Sequence, residues 1–305
     1  MGLLLILLAL AAFAQEQETP VFRSDVTMVR VDAQVVDGKR LVAGLGREDF
    51  EVFDEGQRQE IAYFGRESEP LDVLLLLDVS GSMRRYVEEM ARVARDALRQ
   101  LRAADRVAVM LFSRRSKVSE EFTADFTEVA REMSAAVREQ GLGAGTAINE
   151  ALLAASAYAG RQPARPGRRA ILILTDNLGL NYQTPDEQVV RALYEADCVL
   201  NAIVARGGER PKPPRPGEYL NPDFTPSDVF RLAEETGGEA VKAERAGAAF
   251  QEMMERLRTR YSIHYRAPEA PAGSFRRIRV ALTEAARKRL PRAEVRARAG
   301  YYASR

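Results

Sequence analysis

The chain predicts an α/β fold in which a doubly wound, mostly parallel sheet is inserted in a small β-sandwich built from both chain ends. Three observations carry this expectation. Leu71 to Leu77 is apolar on both faces apart from Asp72, as a strand buried in the middle of a parallel sheet reads, and Arg169 to Asp176 repeats the pattern. Between and around these runs, strand-like and helix-like stretches alternate, as a doubly wound sheet requires. Each flank carries short alternating stretches with too few strands to form a stable sheet pair alone, so the two ends are expected to fold together.

The N-terminus reads as an address. Leu3 to Leu10 is almost pure leucine, and Ala12-Phe-Ala14 before Gln15 has the small-x-small form of a signal-peptidase site. Residues 1–14 are therefore expected to be a signal peptide and the protein exported, periplasmic or secreted, with no transmembrane span in the mature chain. The competing reading is an uncleaved hydrophobic anchor, since no Lys or Arg precedes Leu3. No cysteine follows the apolar run, which argues against lipid attachment.

The N-terminal half of the sandwich is placed at 20–68. Val26 to Val36 alternates, with Val29, Val31, Ala33 and Val35 on one face and Arg30, Asp32 and Gln34 on the other, before an Asp37-Gly38 turn. Phe50 to Phe53 and Glu60 to Phe64, around Asp54-Glu-Gly56, read as a further hairpin. The α/β domain is placed at 70–260. After its first strand, Tyr86 to Leu101 sets Val87, Met90, Val93, Ala94, Ala97, Leu98 and Leu101 at helical spacing. Arg106 to Phe112 is the next strand, Lys117 to Phe122 a polar edge strand, and Phe126 to Glu139 and Ala147 to Ala159 are helices. Helix Pro185 to Ala196, strand Cys198 to Val204, helix Ser227 to Thr236, strand Glu239 to Lys242 and helix Ala248 to Arg260 follow. Tyr261 to Arg266, Phe275 to Leu282 and Ala293 to Ala299 are strands of 261–305 that complete the sandwich.

The first buried strand ends in Asp78-Val-Ser-Gly-Ser82, one carboxylate and two hydroxyls at alternate positions. The carboxyl end of a parallel strand is where such sheets place ligands. Gly81 allows a tight turn there, and oxygen ligands of low total charge suit Mg²⁺ or Mn²⁺. The bland alternative is a strand end with an N-cap serine. Two later segments strengthen the metal reading. Gly141-Leu-Gly-Ala-Gly-Thr146 is a glycine-rich turn that delivers a hydroxyl and opens a helix, and the second apolar strand ends in Asp176.

From Leu71 to Thr259 the chain resembles the von Willebrand factor A domain, a Rossmann-like fold shared with integrin inserted domains. In that family Asp-x-Ser-x-Ser, a distant Thr and a distant Asp form the metal-ion-dependent adhesion site. The resemblance implies a metal held by Asp78, Ser80, Ser82, Thr146 and Asp176, all of matching type. The family often has glycine after the last Asp, where this chain has Asn177. In the resembling domains some metal contacts run through water, which leaves a position open to solvent. A partner's Asp or Glu carboxylate is its natural occupant, which makes the protein a receptor. The flanks, in Gly44 to Val52 and Ala297 to Ala303, resemble a bacterial exported family that carries such a domain between strands.

Other classes find less support. With 45 basic and 44 acidic residues the chain offers no field for nucleic acid or membrane. The one histidine, His264, falls in a flanking strand, and Cys198 reads as a small buried residue without a disulfide partner. Zinc is set aside for want of a Cys and His cluster, a P-loop is absent, and Ser80 stands where a haloacid dehalogenase would carry its second Asp. No catalytic residue is assigned. The runner-up readings are a metal-independent envelope scaffold and a Mg²⁺-dependent hydrolase. The loops Leu178 to Thr184 and Arg206 to Pro226, both leaving carboxyl ends of strands, are the candidates for partner selection, the latter with a solvated spacer as its alternative.

Overall fold

A computed structural model describes residues 27–65, 69–163, 165–181, 184–212, 215–217, 219 and 225–303. The signal-peptide assignment lies outside them.

The elements run β1 (Met28–Asp37), β2 (Arg40–Leu41), β3 (Phe50–Asp54), β4 (Gln57–Gln59), β5 (Ile61–Gly65), β6 (Leu71–Asp78), α1 (Arg84–Leu98), β7 (Arg106–Phe112), β8 (Ser116–Thr123), α2 (Phe126–Ala136) and α3 (Ile148–Gly160). They continue with β9 (Arg168–Thr175), β10 (Leu180–Asn181), α4 (Asp186–Glu195), β11 (Cys198–Ala205), β12 (Thr225–Pro226), α5 (Val229–Glu235), β13 (Ala240–Ala243) and α6 (Ala246–Arg258). The last are β14 (Tyr261–Arg266), β15 (Phe275–Leu282), α7 (Glu284–Arg289), β16 (Ala293–Arg296) and β17 (Gly300–Tyr302). No helix among the described residues is long and apolar enough to cross a membrane.

The central sheet has the order β13-β11-β9-β6-β7-β8. Its pairs are parallel except β7 with β8, where the polar strand lies antiparallel at the edge. All eight residues of β6 and of β11 are buried, which explains why both read as continuous apolar runs rather than alternating ones. The period of two then sorts side chains between the faces. Val73, Leu75 and Leu77 pack with Val87 and Met90 of α1, Met133 of α2 and Phe250 and Met253 of α6. Leu74 and Leu76 pack with Ile148 and Leu152 of α3, Val189 and Leu193 of α4, and Leu232 of α5. This layering fixes β6 and β9 at the sheet centre, so their carboxyl ends emerge side by side.

The flanks form two antiparallel sheets, β16-β1-β14-β5 with β2 on β1, and β17-β15-β3-β4. Val31, Ala33, Ile263 and Tyr265 from the first share one apolar cluster with Val52, Ile278, Val280 and Tyr301 from the second. Each sheet thus draws strands from both ends of the chain. One expectation fails here. Phe50 to Phe53 does not pair with Glu60 to Phe64. The two-residue turn Glu55-Gly56, at φ +48° and +81°, closes β3 directly onto Gln57–Gln59. That satisfies the open side of β3, and β5 crosses to pair with β14 in the other sheet. The short helix α7 has no counterpart in the sequence reading.

The polar face of β1 is also buried. Asp32 and Gln34 are 7% and 1% exposed. Gln34 Nε2 donates to Arg256 O at 3.3 Å, and Arg260 donates to Asp32 O at 3.4 Å and to Gly237 O. Burial pushes the Arg260 guanidinium down to about 10. Arg30 and Arg298 flank Asp197, while Arg256 and Arg296 flank Glu239. A layer of ion pairs therefore joins the flanking sheets to the central domain.

Candidate metal centre

The site is assembled from three chain segments that leave the same end of the central sheet. Asp78 ends β6 and is fully buried; its Oδ1 accepts from Ser80 N at 3.0 Å and its Oδ2 from Thr175 Oγ1 at 3.0 Å. Ser80 and Ser82 lie in the following turn, with hydroxyls 3.3 Å apart. Ser82 Oγ donates to Asp176 Oδ2 at 2.7 Å, which closes a chain of oxygens across the tips of β6 and β9. Four of the five expected ligands are thereby brought together.

Thr146 is half-buried, and no hydrogen bond links its side chain to the other four among the described residues. Its backbone is nonetheless at the site. A Cβ on Gly179 would come within 2.9 Å of Thr146 O, so the glycine turn lies against the loop that follows Asp176. Ser113, at the end of β7, holds that turn: its hydroxyl donates to Gly143 O at 2.7 Å and its carbonyl accepts from Ala147 N at 2.9 Å.

The electrostatics mark Asp78 out. Burial pushes its carboxyl up to about 6 from an ordinary 3.8; hydrogen bonds from Ser80 oppose the rise, and the like charge of Asp176 adds to it. A buried carboxylate beside another carboxylate is a compensation deficit that a cation removes. The donor set is all oxygen, with two carboxylates and three hydroxyls, and suits a hard divalent ion in preference to zinc. The residues present fit such an ion.

Asn177, where glycine is common in the resembling family, now has an explanation. Its φ of +57° is the left-handed region that glycine favours and asparagine tolerates. Its side chain adds what glycine cannot: Nδ2 donates to Glu209 O at 2.9 Å, and Oδ1 accepts from Val229 N at 3.4 Å. Asn177 thus ties the Asp176 loop to the start of the 206–226 segment and to α5. The two loops expected to select a partner also pair with each other, through β10 and β12. Leu178, whose N–H donates to Asp176 Oδ1 at 3.1 Å, is 68% exposed beside the site.

Sequence reasoning missed Thr175, Ser113 and the bridging role of Asn177. For Thr175 the signal was its position beside Asp176 at a buried strand end. For Ser113 none was available, because its partners lie thirty or more residues away. His264 is half-buried in β14, 3.1 Å from Ser262 Oγ through Nε2 and tilted against the Tyr63 ring, with its pKa lowered by burial. Cys198 is buried and its thiol pushed up to about 12, which leaves it inert.

Residues 73–179 match the family model described as von Willebrand factor type A domain, a stretch that contains all five of the expected ligand residues. No curated protein matches the chain. Among solved structures, it is similar to the conserved hypothetical protein BatB from Bacteroides thetaiotaomicron, at 17% identity and TM-score 0.46 over 61% of this chain and 97% of that one. It is similar also to an aerotolerance-related membrane protein from Bacteroides fragilis, at 16% identity and TM-score 0.47 over 61% and 98%. A third similar structure is a von Willebrand factor type A protein from Catenulispora acidiphila, at 15% identity and TM-score 0.45 over 86% and 71%.

Proposed function

We propose that the protein is an exported, metal-dependent protein-binding module of the adhesion type, in which Mg²⁺ or Mn²⁺ held at the carboxyl end of the parallel sheet captures a partner's Asp or Glu. The observation that carries this reading is the buried Asp78 carboxylate, destabilised in its charged form and placed at the head of a converging set of oxygens. Asp78 and Asp176 would supply the charge, and Ser80, Ser82 and Thr146 the neutral oxygens. When bound, the ion supplies an electrophilic position for a carboxylate oxygen. Ser82 is exposed and Ser80 half-buried, so a partner side chain reaches the site from solvent. Thr175 and Ser80 N hold the Asp78 oxygens in place, and Asn177 fixes the loop that carries Asp176. On this reading both carboxylates are committed to the ion, which favours binding over hydrolysis.

The rest of the reading goes with this function. The central sheet is taken as doubly wound, because its two faces are covered by different helices, and the flanks as one small β-sandwich, because their sheets share an apolar core. The domain divisions at 20–68, 70–260 and 261–305, and a signal peptide at 1–14, belong to the same proposal. The test is binding of a labelled peptide with a single aspartate among glycines. Binding that needs Mg²⁺ and disappears with chelator or in Asp78→Ala supports the adhesion mechanism. Binding indifferent to chelator and to Asp78→Ala points to the scaffold reading instead.

A further inference from the structure

Beside the ligand loops the surface is hollowed into a cleft of about 430 Å³, walled by Ser80, Gly81 and Arg84 on one side and by Gly143, Ala144 and Gly145 on the other. Its rim is bare at two points, since a Cβ on Gly81 or Gly145 would meet nothing within 4 Å. One guanidinium lines this opening, with two more on the neighbouring loop. Arg84 is exposed on the first turn of α1 and has no hydrogen-bonding or ion-pair partner among the described residues. The Arg114 side chain lies against Gly143, where a Cβ would come within 3.4 Å of its own, and Arg115 donates to Gly141 O at 2.7 Å. Glu139, which also lines the cleft, is already engaged. It pairs with Lys117 and accepts from Gly141 N at 2.6 Å, and the hydrogen bond from Lys117 holds its carboxyl below the ordinary range.

The cleft therefore shares Ser80 with the candidate metal centre, and of the two charged side chains that line it Glu139 is engaged by Lys117 while Arg84 is open to a ligand. A guanidinium presents a planar pair of donors that matches a carboxylate, and an exposed charge at an interface rim chiefly sets partner choice and approach. We infer that the protein selects an acidic peptide segment: one carboxylate of the partner goes to the metal, and a neighbouring one binds Arg84 in the adjoining cleft. This inference rests on the metal-dependent reading above and adds to it the chemistry of the partner.

The test uses fluorescence anisotropy with two labelled, capped peptides, one bearing a single aspartate among glycines and the other three consecutive aspartates. Wild-type protein, Arg84→Ala, Arg84→Glu and Asp78→Ala are compared in Mg²⁺. The triacidic peptide should bind wild type more tightly, and its advantage should shrink with added salt. That advantage should fall about threefold in Arg84→Ala and about tenfold in Arg84→Glu, the scale of removing and reversing one exposed ion pair. The single-aspartate peptide should lose less affinity than the triacidic one in both Arg84 variants. An advantage that survives Arg84→Glu, or a wild type that does not distinguish the peptides, overturns the proposal. Unchanged binding of both peptides to Asp78→Ala would instead sink the metal-dependent reading, so the two failures are distinguishable.

Discussion

Replacing Asp78 by Asn should make the metal-free protein more stable near neutral pH, not less. The buried carboxyl holds its proton up to about pH 6, against 3.8 for an ordinary aspartate. At about 1.4 kcal/mol per pH unit, the ionised group costs the folded state about 3 kcal/mol at pH 7.5. Because the folded pKa is the higher one, the folded state binds the proton more tightly than the unfolded state does. Metal-free wild type should therefore gain stability as pH falls from 7.5 through 6, with the gain complete near pH 4. An asparagine side chain keeps the shape; its oxygen can accept from Ser80 N and its amide can donate to Thr175 Oγ1. Urea unfolding in chelator at pH 7.5 should show Asp78→Asn more stable by up to about 3 kcal/mol, with the difference about halved at pH 5 and closing toward pH 4. In Mg²⁺ at about 1,000 times its dissociation constant the order should reverse, since the ion then stabilises only the wild type, by about 4.1 kcal/mol. An Asp78→Asn protein less stable than wild type in chelator at pH 7.5, or a wild type insensitive to pH over this range, would refute the reasoning.

Three further outcomes follow from individual residues. Thr146→Ala should weaken Mg²⁺ binding at least about tenfold in a calorimetric titration, with the unfolding midpoint in chelator unchanged. Asn177→Val should destabilise by about 2 kcal/mol, because a β-branched residue is strained at φ +57° and the bridges to Glu209 and Val229 are lost; Asn177→Gly should cost less, as it loses only the bridges. Urea unfolding of the two variants checks the order. Glu239→Ala should destabilise by on the order of 2 kcal/mol, since Arg256 keeps Glu252 and the Lys39 carbonyl but loses its buried carboxylate, and Arg296 loses the same partner, whereas Glu239→Gln should cost less.

The central domain was legible in the sequence because its strands are buried on both faces and say so without interruption. Leu71 to Leu77 and Cys198 to Val204 read as buried strands despite Asp72 and Asn201, and helices such as Phe126–Ala136 follow from apolar spacing plus an N-cap, here Asp125, which accepts from Thr127 N and Glu128 N. The candidate ligands stood out for a related reason, since each carboxylate ends an apolar run. The flanks were harder. Nothing local to Glu60 to Phe64 shows that Gln57–Gln59 has already taken the place beside β3. The alternation in β1 correctly divides its faces, yet it cannot show that Asp32 and Gln34 are covered, because the arginines that meet them come from Arg256 and Arg260, more than two hundred residues on. Asn177 seemed a departure from a glycine pattern; only its positive φ and its two bridges show that it serves the same backbone and adds a tie.

The most direct test is calorimetric titration of the protein with Mg²⁺, beside Asp78→Ala under the same conditions. Saturable binding of one ion by the wild type, absent from the variant while both remain folded, is the predicted result. Equal heats from the two proteins, or none from the wild type, would contradict a metal centre built on Asp78, Ser80, Ser82, Thr146 and Asp176.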